Sequence, residues 1–231
     1  MEILEFSMEK INDSMKHESP HKLVRWAYDQ FGGQMVLACS FGAEDVVLVD
    51  ILCKVVDKPN IFYLDTDKHF QETYETRDRL AAKYGIQFIE MKPMITLEQQ
   101  AEKYGEELWK TDPNRCCAIR KVEPLTRVLK DYKAWITGIR REQSVTRAHA
   151  QQVEWDEKFE LVKLNPLVHW TTDDVWNYIR LFDVPYNSLH DKNYPSIGCS
   201  VCTNPVRPGE DPRSGRWTGF AKTECGLHKG D

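Results

Sequence analysis

The sequence predicts an α/β fold, a mostly parallel sheet with helices on both faces. Three observations predict it. Short apolar runs recur along the chain, each run ends in polar or glycine-containing residues, and stretches with helical spacing lie between the runs.

Residues 1–31 read as a helical N-terminal segment, with Leu23, Trp26, Ala27 and Phe31 at helical spacing and Gly32-Gly33 as its stop. MVLACS (35–40) is a continuous apolar run before a glycine-containing turn and reads as a buried strand. A helix follows over about 43–56. IFYLDT (61–66) repeats the pattern, with a helix over about 69–84. IQFIEM (86–91), AWITGI (134–139) and LVKLNPL (161–167) supply three further strands. TTDDVWNYIRLF (171–182) reads as a helix, with Thr171 or Thr172 as N-cap and Asp173 and Asp174 in its first turn. From Pro185 onward Gly, Pro, Asn and Asp become frequent and periodicity is lost. This irregular tail is expected to fold over the sheet, leaving one domain over 1–231. In such sheets ligands bind at the carboxyl ends of the strands. Three loops are therefore candidates: SFGAED (40–45), LDTD (64–67) and GIRREQSVTR (138–147).

Of the 231 residues, 41% are hydrophobic and 29% charged, as in a soluble globular protein. The apolar stretch Val46 to Val56 is broken by Asp50 and Lys54, too short and polar to span a bilayer. MEILEFSMEK has no basic region followed by an apolar run, so a cytoplasmic location is expected. A net charge of −5 argues against broad nucleic-acid binding. It leaves room for an anionic small molecule held by a local arginine cluster.

Seven cysteines in a reducing compartment point to metal ligation or catalysis rather than disulfides. Cys39 and Cys53 sit in apolar surroundings and read as core residues. Cys199 and Cys202 form a CxxC pair that can chelate a metal or cluster, or act as a redox dithiol. Cys116 and Cys117 supply two more ligands. Adjacent cysteines suit zinc poorly. A cubane is larger, and neighbouring side chains can reach two of its irons if the backbone is locally kinked. A 4Fe–4S cluster is favoured over zinc.

Ser40-Phe41-Gly42 follows a strand and opens a helix, which suits an anion but is equally an ordinary turn. It is neither a Walker loop nor an SGGxDS loop. Arg140, Arg141 and Arg147, with Gln143 and Ser144 between them, follow another strand; composition alone makes this a solvated basic loop. Lys121 lies one turn after Cys117 if that segment is helical. Cys225 stands in ECGLH near the terminus, either an idle thiol or a nucleophile on a mobile segment.

The segments SFGAEDVVL, LDT, CCAIRKVEPL, GIRREQSVTR, GCSVCTNPV and ECGLH, taken in order, resemble the assimilatory sulfonucleotide reductases. These are the adenosine 5′-phosphosulfate (APS) and 3′-phospho-APS (PAPS) reductases, and the resemblance runs from about Met35 to His228. It implies an adenine nucleotide alpha-hydrolase-like fold. It implies that Ser40, Phe41, Gly42, Leu64, Asp65 and Thr66 lie near the nucleotide. Arg140, Arg141 and Arg147 match the family's arginine loop, and Arg213 and Arg216 match arginines facing the phosphosulfate. Lys121 would sit between cluster and substrate, and His228 beside the reacting groups. The CC…CxxC set marks the branch with a 4Fe–4S cluster, which usually prefers APS; PAPS stays open as a substrate.

The resemblance also makes Cys225 the nucleophile on a mobile catalytic tail spanning about 205–231. Its thiolate attacks the sulfuryl sulfur and expels AMP, and reduced thioredoxin (or a glutaredoxin-like donor) then releases sulfite. Neither nucleic acid nor membrane is an expected partner, and a homo-oligomer is compatible. Where many relatives have glycine after LDT this chain has Asp67, a carboxylate expected to repel a nearby phosphate. The competing readings are an ATP pyrophosphatase-type adenylating or RNA-thiolating enzyme and a metal-stapled interaction module.

Overall fold

The computed structural model describes residues 2–222 together with 224, 226 and 227, with side chains from Met8 onward. Its centre is a six-stranded sheet of order β3-β2-β1-β4-β6-β5. The strands are β1 (Met35–Ala38), β2 (Ile61–Leu64), β3 (Ile89–Met91), β4 (Ala134–Ile136), β5 (Val153–Asp156) and β6 (Leu161–Leu164). All neighbours pair in parallel except β5, which runs antiparallel to β6. The strands are shorter than the apolar runs suggest, because residues beyond Ala38, Leu64 and Ile136 leave the ladder to form loops. The chain moves outward from β1 to β2 and β3, then returns to place β4 on the other side of β1. The β1/β4 junction is thus a topological switch point, where the loops after two parallel strands diverge and leave a crevice.

Period-two alternation sorts the core. Met35, Leu37, Ile61 and Ile136 pack on one face. The helices covering it are α2 (Pro20–Phe31), α3 (Ala43–Val55) and α9 (Thr172–Leu181). Val36, Phe62 and Trp135 point the other way, onto Leu125, Val128 and Leu129 of α8 (Glu123–Leu129). Helix α4 (Gln71–Tyr84) follows β2 and ends at Gly85, whose φ of 64° lies in the left-handed region.

The N-terminal segment is two helices rather than one. α1 (Glu2–Met15) stops, and Ser19-Pro20 starts α2, with Ser19 Oγ accepting from Lys22 N and proline in the first turn. Strand β5 was not expected; its four residues are too few for alternation to stand out. Its backbone is tied to α1, where the Asn12 amide donates to Val153 O at 2.8 Å and accepts from Val153 N at 2.9 Å. That contact covers a sheet edge. Between β3 and β4 the chain forms α5 (Leu97–Tyr104), α6 (Leu108–Thr111) and α7 (Pro113–Cys117), then a π-helical turn, Ala118–Val122, leading into α8. A capping box of Thr96 and Gln99 starts α5, and Asp112 caps α7 ahead of Pro113. Among the described residues no helix is long and apolar enough to cross a membrane.

Candidate active site and adjoining cysteine cage

A cavity of about 1250 Å³ opens over the carboxyl ends of β1, β2 and β4. Ser40, Phe41, Gly42, Leu64 and Lys121 line it, as do Arg140, Arg141, Arg147, Arg213 and Arg216. The structure therefore gathers most of the sequence-nominated residues at the switch point. Asp65 and Thr66 are buried behind Leu64 and do not line the cavity. Cys225 and His228 lie outside the described residues.

The turn after β1 is held from inside. Asp45, in the first turn of α3, accepts from both the N–H and the hydroxyl of Ser40 at 2.6 Å. One N–H of the expected anion cradle is thus already taken by a carboxylate. Burial pushes Asp45 up to about 6, with the Ser40 bonds and Arg147 acting in the opposite sense. Phe41 has a φ of 62° and is buried against Tyr63 and Phe88, at ring separations of 5.5 and 5.1 Å. Aromatic packing holds this strained turn in place.

Four of the arginines lining the cavity differ in freedom. Arg140 is buried; it pairs with Glu44 at 2.8 Å and Glu142 at 2.9 Å and donates to Trp170 O and Thr172 Oγ1. Its fork is spent on fastening β4's loop to α3 and α9. Arg141 donates to Ala150 O at 2.8 Å and Gln151 at 3.2 Å, closing its own loop. Arg147 and Arg213 converge on Glu224, at 2.7 and 2.8 Å from the same oxygen. Sequence reasoning passed over Asp45, Glu44 and Glu224, because nothing local distinguishes them from surface acids.

Beside this cavity lies a smaller one lined by Cys116, Cys117, Cys199 and Cys202, with Trp109 and Trp217. The adjacent pair ends α7, and the π-helical turn that begins at Ala118 supplies the local irregularity the pair required. The other pair sits on a 3₁₀ turn, Ser200–Cys202, anchored by Ser200 N to Lys68 O at 2.7 Å and by Trp217 N to Cys202 O at 3.1 Å. Burial and the other three thiols push Cys116 up to about 12. Burial with Cys199 and Cys117 pushes Cys202 up to about 11, offset by Lys121 and Arg216. Four sulfurs around one small cavity, two of them pushed up by burial and by neighbouring thiols, are a donor set suited to a cationic centre. Among the described residues no three His, Cys, Asp or Glu side chains are arranged to hold a single metal ion.

The two cavities are joined by charge and by hydrogen bonds. Lys121, Arg216 and Trp217 line both. Arg216 lies over the Trp217 ring at 4.5 Å, donates to Ser196 Oγ at 3.1 Å, and keeps a buried Nε without a partner. Thr66 Oγ1 lies 3.3 Å from Cys199 Sγ, so the LDT loop reaches the cage through Thr66 and the large cavity through Leu64. His69 Nε2 donates to Leu64 O at 2.8 Å and fixes the end of β2. Residues 204–217 strap onto the CxxC loop, through Asn204 N to Gly215 O and a bridge between Thr203 and Arg216.

Comparison with known proteins agrees with this geometry. Residues 34–205 match the phosphoadenosine phosphosulfate reductase domain. The chain is 52% identical over 227 residues to the adenosine 5′-phosphosulfate reductase of Shouchella clausii, covering 96% of this chain and 94% of that protein. The crystal structure of the PAPS reductase from Candida auris in complex with phosphate superposes with a TM-score of 0.74 at 30% identity, covering 85% of this chain and 95% of that one. An FMN adenylyltransferase from Candida glabrata, at 16% identity and TM-score 0.60, covers 80% of this chain and 63% of that one and shares the fold alone. With its switch-point cavity, arginine loops and paired cysteines all within the matched span or beside it, the chain belongs to the phosphoadenosine phosphosulfate reductase family, the sulfonucleotide reductases.

Proposed function

We propose that this chain reduces APS to sulfite and AMP in sulfate assimilation, with reduced thioredoxin as donor and Cys225 as nucleophile. One observation carries the reading. A single cavity is lined by the Ser40 turn, Leu64 and a set of cations made of Lys121, Arg147, Arg213 and Arg216, and it abuts four cysteines. The relatives named adenosine 5′-phosphosulfate reductase at 46–53% identity support the substrate.

The chemistry balances without an external oxidant. The Cys225 thiolate attacks the sulfuryl sulfur; an S–S bond forms, and the S–O bond to AMP breaks with its electron pair leaving on AMP. A thioredoxin thiolate then attacks Cys225 Sγ, sulfite leaves, and the second thiol resolves the mixed disulfide. Both electrons come from the dithiol. Lys121 and Arg216 offset charge on the departing phosphate oxygen. The Ser40 turn and Leu64 bound the nucleotide end of the cavity, and Phe41 keeps that end dry.

Cys116, Cys117, Cys199 and Cys202 would hold a 4Fe–4S cluster through their thiolates. When bound, such a cluster supplies a fixed charge behind Lys121 and Arg216 and ties two distant loops together. The four sulfurs lining one small cavity, two of them adjacent in the chain at a π-helical turn, support a cluster over zinc. We place the protein in the cytoplasm, where these thiols stay reduced.

The test uses anaerobically purified protein and sulfur-labelled APS without thiol. Label is expected on Cys225, absent in Cys225→Ser and released as sulfite by reduced thioredoxin. Label that persists in Cys225→Ser overturns the mechanism.

A further inference from the structure

We infer that Glu224 is a positioning residue, a carboxylate latch that seats the residue before the nucleophile on the Arg147–Arg213 pair; this rests on the reading of Cys225 given above. Its side chain is only 3% exposed. Arg147 holds it in a fork, Nε to Oε1 at 3.0 Å and Nη2 to Oε2 at 2.7 Å, and Arg213 Nη2 adds a third charged bond at 2.8 Å. The hydroxyls of Ser144 and Thr146 stand 3.4 Å from Oε1. A fork of this kind fixes orientation as well as position.

The far side of Cys225 is docked too. Lys158 Nζ donates to Gly226 O, and Leu227 packs against the Trp135 side of the core. Thus the residues flanking the nucleophile are seated on both sides. Two guanidiniums against one carboxylate leave one positive charge, and Lys121 and Arg216 line the same cavity. The latch therefore closes without neutralising the anion end of the site. Such an arrangement couples tail closure to the arginines that face the sulfuryl group. It raises the rate of the step at Cys225 and leaves nucleotide affinity to the Ser40 turn and Leu64.

The full-length Glu224→Gln variant tests this, because the amide keeps the shape and loses the charge. Transfer of label from saturating APS to Cys225 is expected to fall roughly tenfold or more, the scale of a lost charge-assisted bond. AMP affinity is expected to stay within about threefold, since the latch acts on closure and not on nucleotide binding. Trypsin cleavage after Lys222, followed without substrate, is expected to rise several-fold as the tail opens more often. Glu224→Asp should recover part of both effects. Wild-type labelling in Glu224→Gln, or unchanged cleavage at Lys222, overturns the latch. Tighter AMP binding with undiminished labelling also overturns it, because Glu224 would then be a competitor for the anion site. If the wild-type protein takes no label, the Cys225 reading fails, and cleavage at Lys222 still decides the latch.

Discussion

Arg120 and Asp67 meet at 2.6 Å, with the Arg120 side chain 3% exposed. The same guanidinium donates to Thr66 O at 2.8 Å and to Gln100 at 3.2 Å. Asp67, where the family resemblance leads one to expect glycine, has a φ of 55°. Its carboxylate is turned toward a buried cation, and a second cation, Lys92, lies 3.6 Å away. The repulsion of phosphate that the sequence suggested is thereby neutralised.

Asp67→Gly sets two effects against each other. Relief of the left-handed backbone is worth about 1 kcal/mol. Stranding a buried guanidinium costs about 3 kcal/mol. The pair wins, so the variant should melt roughly 5 °C lower. Calorimetry checks this, and a melting temperature at or above that of the natural protein would contradict it.

Gly138 lies two residues beyond β4, where a Cβ would stand 2.3 Å from Asp45 Oδ1 and 2.9 Å from Glu44 Cβ. Asp45 cannot give way without releasing Ser40. Gly138→Ala should cost about 1–3 kcal/mol in urea unfolding. It should also weaken AMP binding, measured by calorimetric titration, because the Ser40 turn opens. Unchanged affinity would separate Asp45 from the nucleotide site.

Gly198 is a different kind of glycine. A Cβ there would meet the far end of Arg216, 2.3 Å from Nη2 and 2.7 Å from Cζ. That guanidinium can move, so Gly198→Ala should change stability by less than about 1 kcal/mol. Displaced from Trp217 and Ser196, Arg216 no longer faces the departing phosphate. Label transfer should drop on the order of a hundredfold, as when an oxyanion donor is lost. Full activity would show that Arg216 has no part in the step.

The cage makes a compositional prediction. Cys199→Ser and Cys116→Ser should each come from anaerobic cells with little iron or sulfide, since each removes one of four thiolates. Both should lose thermal stability, because a shared centre no longer ties the CxxC loop to α7. Full iron content in either variant, by metal analysis, would exclude its sulfur as a ligand.

The pH dependence of stability has two opposing parts. Burial holds His21, His69, His169 and His190 below the ordinary histidine value. The unfolded chain takes up these protons first, so stability is lost as pH falls below about 6.5. Asp45, raised to about 6, acts the other way. Its contribution is fully present below its unfolded value of about 3.9 and is lost as pH rises through 6. Asp45→Asn removes the opposing part. Denaturation midpoints between pH 7.5 and 5 should therefore fall more steeply in Asp45→Asn than in the natural protein, and a shallower fall would reverse the assignment.

The sequence by itself determined the alternation of β1, β2, β3, β4 and β6 with helices, because burial on both faces demands short, unbroken apolar runs. It also determined which loops could carry a site, since these follow strand ends, and singled out the four cysteines that the structure gathers in one cage. The break at Ser19-Pro20, the capping box before α5 and the Asp112 cap before α7 are also local hydrogen-bonding chemistry, but hydrophobic periodicity alone does not mark them. Only the tertiary structure decided that β4 returns beside β1 and so opens the crevice. It alone set Thr66 against Cys199, Asp67 against Arg120, and Glu224 between Arg147 and Arg213. Periodicity and caps act over a few residues and are written locally. Ion pairs such as Arg147–Glu224 join residues far apart in the chain. Which acid meets which arginine is settled when packing removes water around them, and nothing in the local sequence encodes that choice.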